Sequence, residues 1–117
     1  MPDADSNPLP PATDDLSGIV TSRIINPIEN EVTLKYAITT FFVDEDGLTR
    51  RRIRKYSLAP GQHQDLLGQR RRVISYDRGG DFGLQQYKIL PGQYTFRNGD
   101  RGWDLLRKAL VLDEEAP

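Results

Sequence analysis

Leu90-Pro91-Gly92-Gln93-Tyr94-Thr95-Phe96 constrains what this chain can fold into more than any other stretch. An apolar residue closes one strand, Pro-Gly turns the chain, and Tyr94 and Phe96 then share a face of the next strand. A tyrosine just after such a turn packs its ring into the core of a two-sheet sandwich. It returns its hydroxyl to backbone a few residues upstream. The segment predicts a small antiparallel β-sandwich, and it names no reaction.

The rest of the chain reads consistently with that architecture. Residues 1–17 carry four prolines and little apolar side chain, which predicts a disordered acidic arm. Gly18–Asn26 is a β-branched run, and Asn26-Pro27 ends it, because proline forces the preceding residue out of the helical region. Val32, Leu34, Tyr36 and Ile38 alternate with polar residues, a half-buried strand by its period of two. Phe41 and Val43 lie on the other parity, so a bulge near Thr39-Thr40 is expected. Asp44-Glu45-Asp46-Gly47 and Asn98-Gly99-Asp100 read as hairpin turns. Leu58-Ala59-Pro60-Gly61 repeats the turn chemistry of Leu90-Pro91-Gly92. Strands are also expected over Leu48–Leu58, His63–Leu67, Gln69–Asp77, Leu84–Leu90, Gln93–Arg97 and Gly102–Arg107. Trp103, Leu106 and Leu110 also fit a helical face, so a short C-terminal helix competes with the last strand. The expected organisation is an arm over 1–17, a domain over 18–112 and a loose acidic tail over 113–117.

Composition narrows the function classes. The chain has 117 residues, one domain at most, and 37% of them are apolar, which allows a single lean core and no large enclosed site. Without cysteine there is no disulfide, no thiolate metal site and no cysteine nucleophile. The single histidine, His63, leaves little material for nucleophilic or zinc chemistry. No apolar run reaches the length of a membrane span, so no membrane insertion is expected, and the first residues lack the pattern of a signal peptide. The expectation is a protein without enzymatic activity, catalytic residues, bound metal or cofactor.

A net charge of -1 conceals a basic middle between acidic ends. Arg50, Arg52 and Arg54 alternate along one strand, so their guanidinium groups project from one face about 7 Å apart. Arg70 and Arg72 repeat the pattern on a later strand. Arginine forks match phosphate, sulfate and carboxylate geometry. Arg50, Arg52, Arg54, Lys55, Arg70 and Arg72 are therefore the candidate polyanion-binding residues, and the plainer reading is a solvated sheet face. Tyr56 shares parity with the first three arginines and Tyr76 with Arg70 and Arg72. A strand holds such tyrosines inside and its same-parity arginines outside only if it bends or lies at an edge. Asp77–Gly83 reads as a glycine-rich hairpin loop rather than a phosphate loop, because neither a helix nor a lysine follows. Asp44–Asp46 offers oxygens for a weak surface calcium site but lacks EF-hand spacing. Trp103 is expected in the core, with an exposed carbohydrate platform as the alternative.

Asn26-Pro27, Tyr36, Tyr56 to Gly61, Ile74 to Gly83, the Tyr87-x-Ile-x-Pro-Gly-x-Tyr-x-Phe run ending at Phe96, and Gly102-Trp103-Asp104-Leu105 together resemble a small uncharacterised bacterial immunoglobulin-like domain. The resemblance spans roughly residues 18–108. It implies an all-β, antiparallel immunoglobulin- or fibronectin-like sandwich of about seven strands, and it tilts the location toward the cell envelope or secretion. It brings no ligand. The expected function is a non-catalytic binding or structural module of a larger assembly with a protein partner, and the alternative is polyanion binding by the basic strand face.

Overall fold

The computed structural model describes residues 18–110, and the expected arm and acidic tail lie outside them. The described residues form eight strands: β1 (Val20–Ile25), β2 (Leu34–Val43), β3 (Thr49–Leu58), β4 (His63–Leu67), β5 (Arg72–Asp77), β6 (Leu84–Lys88), β7 (Gly92–Gly99) and β8 (Gly102–Lys108). They build two four-stranded sheets, ordered β4-β1-β7-β8 and β3-β2-β5-β6. All pairings are antiparallel except β1 with β7, which run parallel from Ser22↔Gly92 to Ile25↔Thr95. The all-β two-sheet architecture expected from the sequence is the one observed.

The inner faces meet in one core. Ile24 and Phe96 from the first sheet pack with Tyr36, Ile38, Ile74 and Tyr76 from the second. Phe96 lies at the centre, its ring 5.8 Å from that of Tyr36 and 5.3 Å, edge-on, from that of Tyr76. Such aromatic contacts add to the gain from burying the rings. The corner forms as expected. The Tyr94 hydroxyl accepts the Leu90 N–H at 2.8 Å and donates to the Lys88 carbonyl at 3.5 Å. The ring itself is buried.

Two local expectations are corrected, and one open choice is decided. The pairing of β2 with β3 runs unbroken from Leu34↔Leu58 to Val43↔Thr49, so no bulge interrupts Thr39-Thr40. Phe41 stays on the outer face, where the Arg71 guanidinium lies 4.2 Å from its ring centre, and this cation–π contact removes the need for a phase change. The irregularity falls in β1 instead, between Val20 and Ser22. Residues 102–108 are strand and not helix, because pairing with β7 buries Leu105 and leaves Leu106 exposed. The β7–β8 turn is Asp100-Arg101, one residue later than expected, since Gly99 pairs with Gly102.

Asn26 shows why the chain turns where it does. It is fully buried, and its Nδ2 donates to the carbonyls of Val32 at 2.8 Å and Leu58 at 2.9 Å. Its Oδ1 accepts from Asn30 Nδ2 at 2.9 Å, and Asn30 also donates to the Phe96 carbonyl. Its backbone pairs with Gln62 and Gly61. One side chain thus ties the end of β1 to the end of β3 and, through Asn30, to β7.

Candidate functional site

Directly paired residues in a sheet project to the same face. The β2–β3 register sets Arg54 opposite Ile38, Arg52 opposite Thr40 and Arg50 opposite Phe42. Ile38 is buried in the core, so these arginines stand on the core-facing side of their sheet. They escape burial because β3 is an edge strand. One end of β3 lies over the core, where Leu58 is buried and Tyr56 stacks on Tyr36 at 5.7 Å. The other end runs past it. The parity conflict between tyrosines and arginines is resolved by this edge position.

The result is a cleft of about 470 Å³ between the β3 and β4 edges. Arg52 and Arg54 enter it from β3, Arg72 from β5 and Arg70 from the β4–β5 loop; Phe42, Tyr56, Gln64 and Leu66 complete its walls. Arg72 belongs there by register, since it pairs with Thr40, the partner of Arg52. Across β2 this places Arg52 and Arg72 about 10 Å apart, two interstrand spacings.

Little in the cleft offsets this charge. Among the described residues, Arg52, Arg54 and Arg70 form no ion pair. Arg52 lies 5.5 Å from the Phe42 ring centre, and Arg72 donates to the Leu67 carbonyl at 2.6 Å. Asp65 is the one acid in the wall, and its carboxylate is held by both nitrogens of the Arg23 fork, at 2.6 and 3.1 Å. The Arg23 hydrogen bond holds the Asp65 pKa below the usual carboxylate range. Burial, and then the charge of neighbouring Arg70, push the Arg72 pKa below the ordinary arginine value, with Tyr56 acting the other way. Two cations are thus held close together where an incoming anion would relieve them. Gln64, in the cleft wall, accepts the Tyr36 hydroxyl at its Oε1, and burial raises the Tyr36 pKa.

Four of the six expected residues therefore share one cleft. Arg50 does not line it, and its Nε donates to Asp44 Oδ2 in the β2–β3 hairpin. Lys55 pairs with Ala37 and projects from the outer face. Sequence reasoning missed Phe42 and Gln64. Their signal was available only through register, since Gln64 is opposite buried Ile24.

The other candidates carry less. The N–H groups of Arg78, Gly79 and Phe82 are spent within the Asp77–Gly83 loop on Gly83, Asp77 and Gly79. Asp44 gives one carboxylate oxygen to the Asp46 and Leu48 N–H groups and the other to Arg50. His63 is exposed on β4. Trp103 packs against the core. No helix among the described residues is long and apolar enough to cross a membrane. Comparison with protein-family models, with curated proteins and with solved structures finds no match.

Proposed function

We propose that this chain is a non-catalytic binding module that takes an acidic polymer in the cleft between the β3 and β4 edges. The supporting observation is the convergence of Arg52, Arg54, Arg70 and Arg72, from three chain segments, on one cleft in which no acid is left to pair with them. Guanidinium groups at this density suit carboxylate, sulfate or phosphate groups along an extended ligand. Arg50 and Lys55 lie outside the cleft and strengthen only its wider field. In this reading the domain is an immunoglobulin-like part of a larger bacterial envelope or secreted assembly, as its turn and corner motifs suggest.

An amide NMR titration with a heparin-type oligosaccharide and with a single-stranded DNA oligomer tests the proposal. Shifts should centre on residues 52–54 and 70–72 and persist at physiological salt. Four phosphate contacts on single-stranded DNA give a slope of log K against log salt of about −3. Arg54→Glu combined with Arg70→Glu should abolish binding and leave the spectrum of the core unchanged, since neither side chain makes an internal ion pair. Absence of shifts at physiological salt would sink the proposal.

A second reading is docking of a protein partner on the outer face of the second sheet, where Val43 and Ile53 are exposed beside Phe41. Its binding would survive Arg54→Glu combined with Arg70→Glu and fall with Ile53→Asp, which separates it from the first.

A further inference from the structure

β3 is ten residues long and pairs on one side only, with β2. The hydrogen-bond phase shows which of its backbone groups are free. Phe41 donates to Arg71, so odd-numbered residues of β2 direct their backbone toward β5 and even-numbered ones toward β3. Asp44 donating to Leu48 has the same phase. By the β2–β3 register, Arg50, Arg52, Arg54 and Tyr56 make the ladder bonds. Arg51, Ile53, Lys55 and Ser57 therefore aim N–H and C=O groups at the open edge, a template for one more strand.

The side chains select the strand. A second copy of the chain is opposed, because β3 against β3 would set Arg50, Arg51, Arg52, Arg54 and Lys55 against themselves. An acidic strand is favoured for the same reason. Its residues on the core-facing side would fall beside Arg52 and Arg54 and near Arg70 and Arg72. Its outward residues would meet Arg51, exposed Ile53 and Lys55. Alternate side chains of an extended polypeptide repeat every 7 Å or so, the same interval as the arginines on β3. Edge protection alone explains cations on β3. It does not explain Arg70 and Arg72, which come from outside that strand and face the same cleft.

We propose that the open edge of β3 is a strand-addition site, where an extended acidic polypeptide segment pairs with Arg51, Ile53, Lys55 and Ser57 and sends alternate carboxylates into the arginine cleft. The inference rests on the cleft being an anion site and adds the class of polymer that fills it. Backbone pairing supplies affinity and the side-chain alternation supplies selectivity.

The probe is an octapeptide alternating glutamate with valine and threonine, with a version N-methylated at alternate positions, followed by amide hydrogen exchange and NMR titration. Expected are slowed exchange at Arg51, Ile53, Lys55 and Ser57 on peptide binding, and a loss of affinity of about tenfold or more when N-methylation removes the donors facing β3. Ile53→Pro, which deletes an edge donor and no β2 ladder bond, should weaken the peptide similarly and leave the heparin-type oligosaccharide's affinity unchanged. Peptide binding that leaves those four amides unprotected and ignores N-methylation would overturn strand addition, as would binding of oligosaccharide or DNA alone, and the cleft reading would stand. If no anion shifts the cleft residues, both readings fall.

Discussion

Replacing Asn26 with alanine removes three hydrogen bonds from a side chain that has no contact with water. The Leu58 carbonyl partner is in a buried setting, where an unpaired acceptor costs about 1–3 kcal/mol. The Val32 carbonyl and the Asn30 amide are part-buried, and water can reach them, so each lost bond costs about 0.5–1.5 kcal/mol. The expected total is about 3–4 kcal/mol, a large share of the ~5–15 kcal/mol of a domain this size. Urea unfolding followed by tryptophan fluorescence is the assay, since Trp103 packs against the core. With a slope of about 1 kcal/mol per molar, the midpoint should fall by about 3 M at unchanged slope. Asn26→Asp keeps the shape but turns a donor into a charged acceptor facing two carbonyls, and it should destabilise more than alanine does. A loss below about 1 kcal/mol for Asn26→Ala, or a stable Asn26→Asp, would refute the assignment of Asn26 as the knot between β1 and β3.

Further outcomes follow from the same contacts. Tyr94→Phe leaves the Leu90 N–H without its acceptor and should cost about 1 kcal/mol or slightly more by the same urea assay. Gly102→Ala should cost well over 2 kcal/mol, because φ is +85° and a Cβ would lie 2.1 Å from the Arg78 carbonyl oxygen; Gly83→Ala, at φ +77° with open space around it, should cost only about 1–2 kcal/mol. Burial opposes ionisation of Asp104, yet hydrogen bonds from Tyr87, the Leu105 N–H and Tyr76 outweigh it and depress the pKa. A depressed carboxylate contributes stability above its unfolded pKa near 4 and loses it as pH falls toward the folded value. Asp104→Asn should therefore flatten the stability–pH curve below about pH 4, with carboxyl-carbon NMR reporting the Asp104 titration directly. At the other end, the Asp104 hydrogen bond raises the Tyr87 pKa and burial raises that of Tyr76. Stability should therefore fall as pH climbs above about 10, the unfolded tyrosine value, and Tyr87→Phe should blunt that fall.

The elements were legible where side-chain chemistry is local. Pro-Gly turns, the Asp44–Gly47 hairpin and the Tyr94 corner each act within a few residues, and all are found as read. What stayed hidden depends on pairing between distant segments. Phe41 looked like a phase error because its partner, Arg71, is thirty residues away and reaches it only through the β2–β5 register. The arginines of β3 looked contradictory because no sequence pattern says which strand ends a sheet. Asn26 read as a turn residue, and nothing around it disclosed that Leu58 would need its amide.

The parallel partnership of β1 with β7 also bears on the order in which the two sheets can be completed as the chain leaves the ribosome. The sheet built from β3, β2, β5 and β6 draws only on residues 34–88, so its hairpins can close early. Its companion sheet must wait, because β1 has no inner neighbour until Gly92–Thr95 has been made. For that interval Tyr36, Ile38, Ile74 and Tyr76 lack Phe96 and the β7–β8 half of their cover, with only the β1–β4 pair available to them, the situation in which nascent β-proteins aggregate. The like charges along the outer strand of the early sheet would then keep neighbouring nascent chains from joining edge to edge.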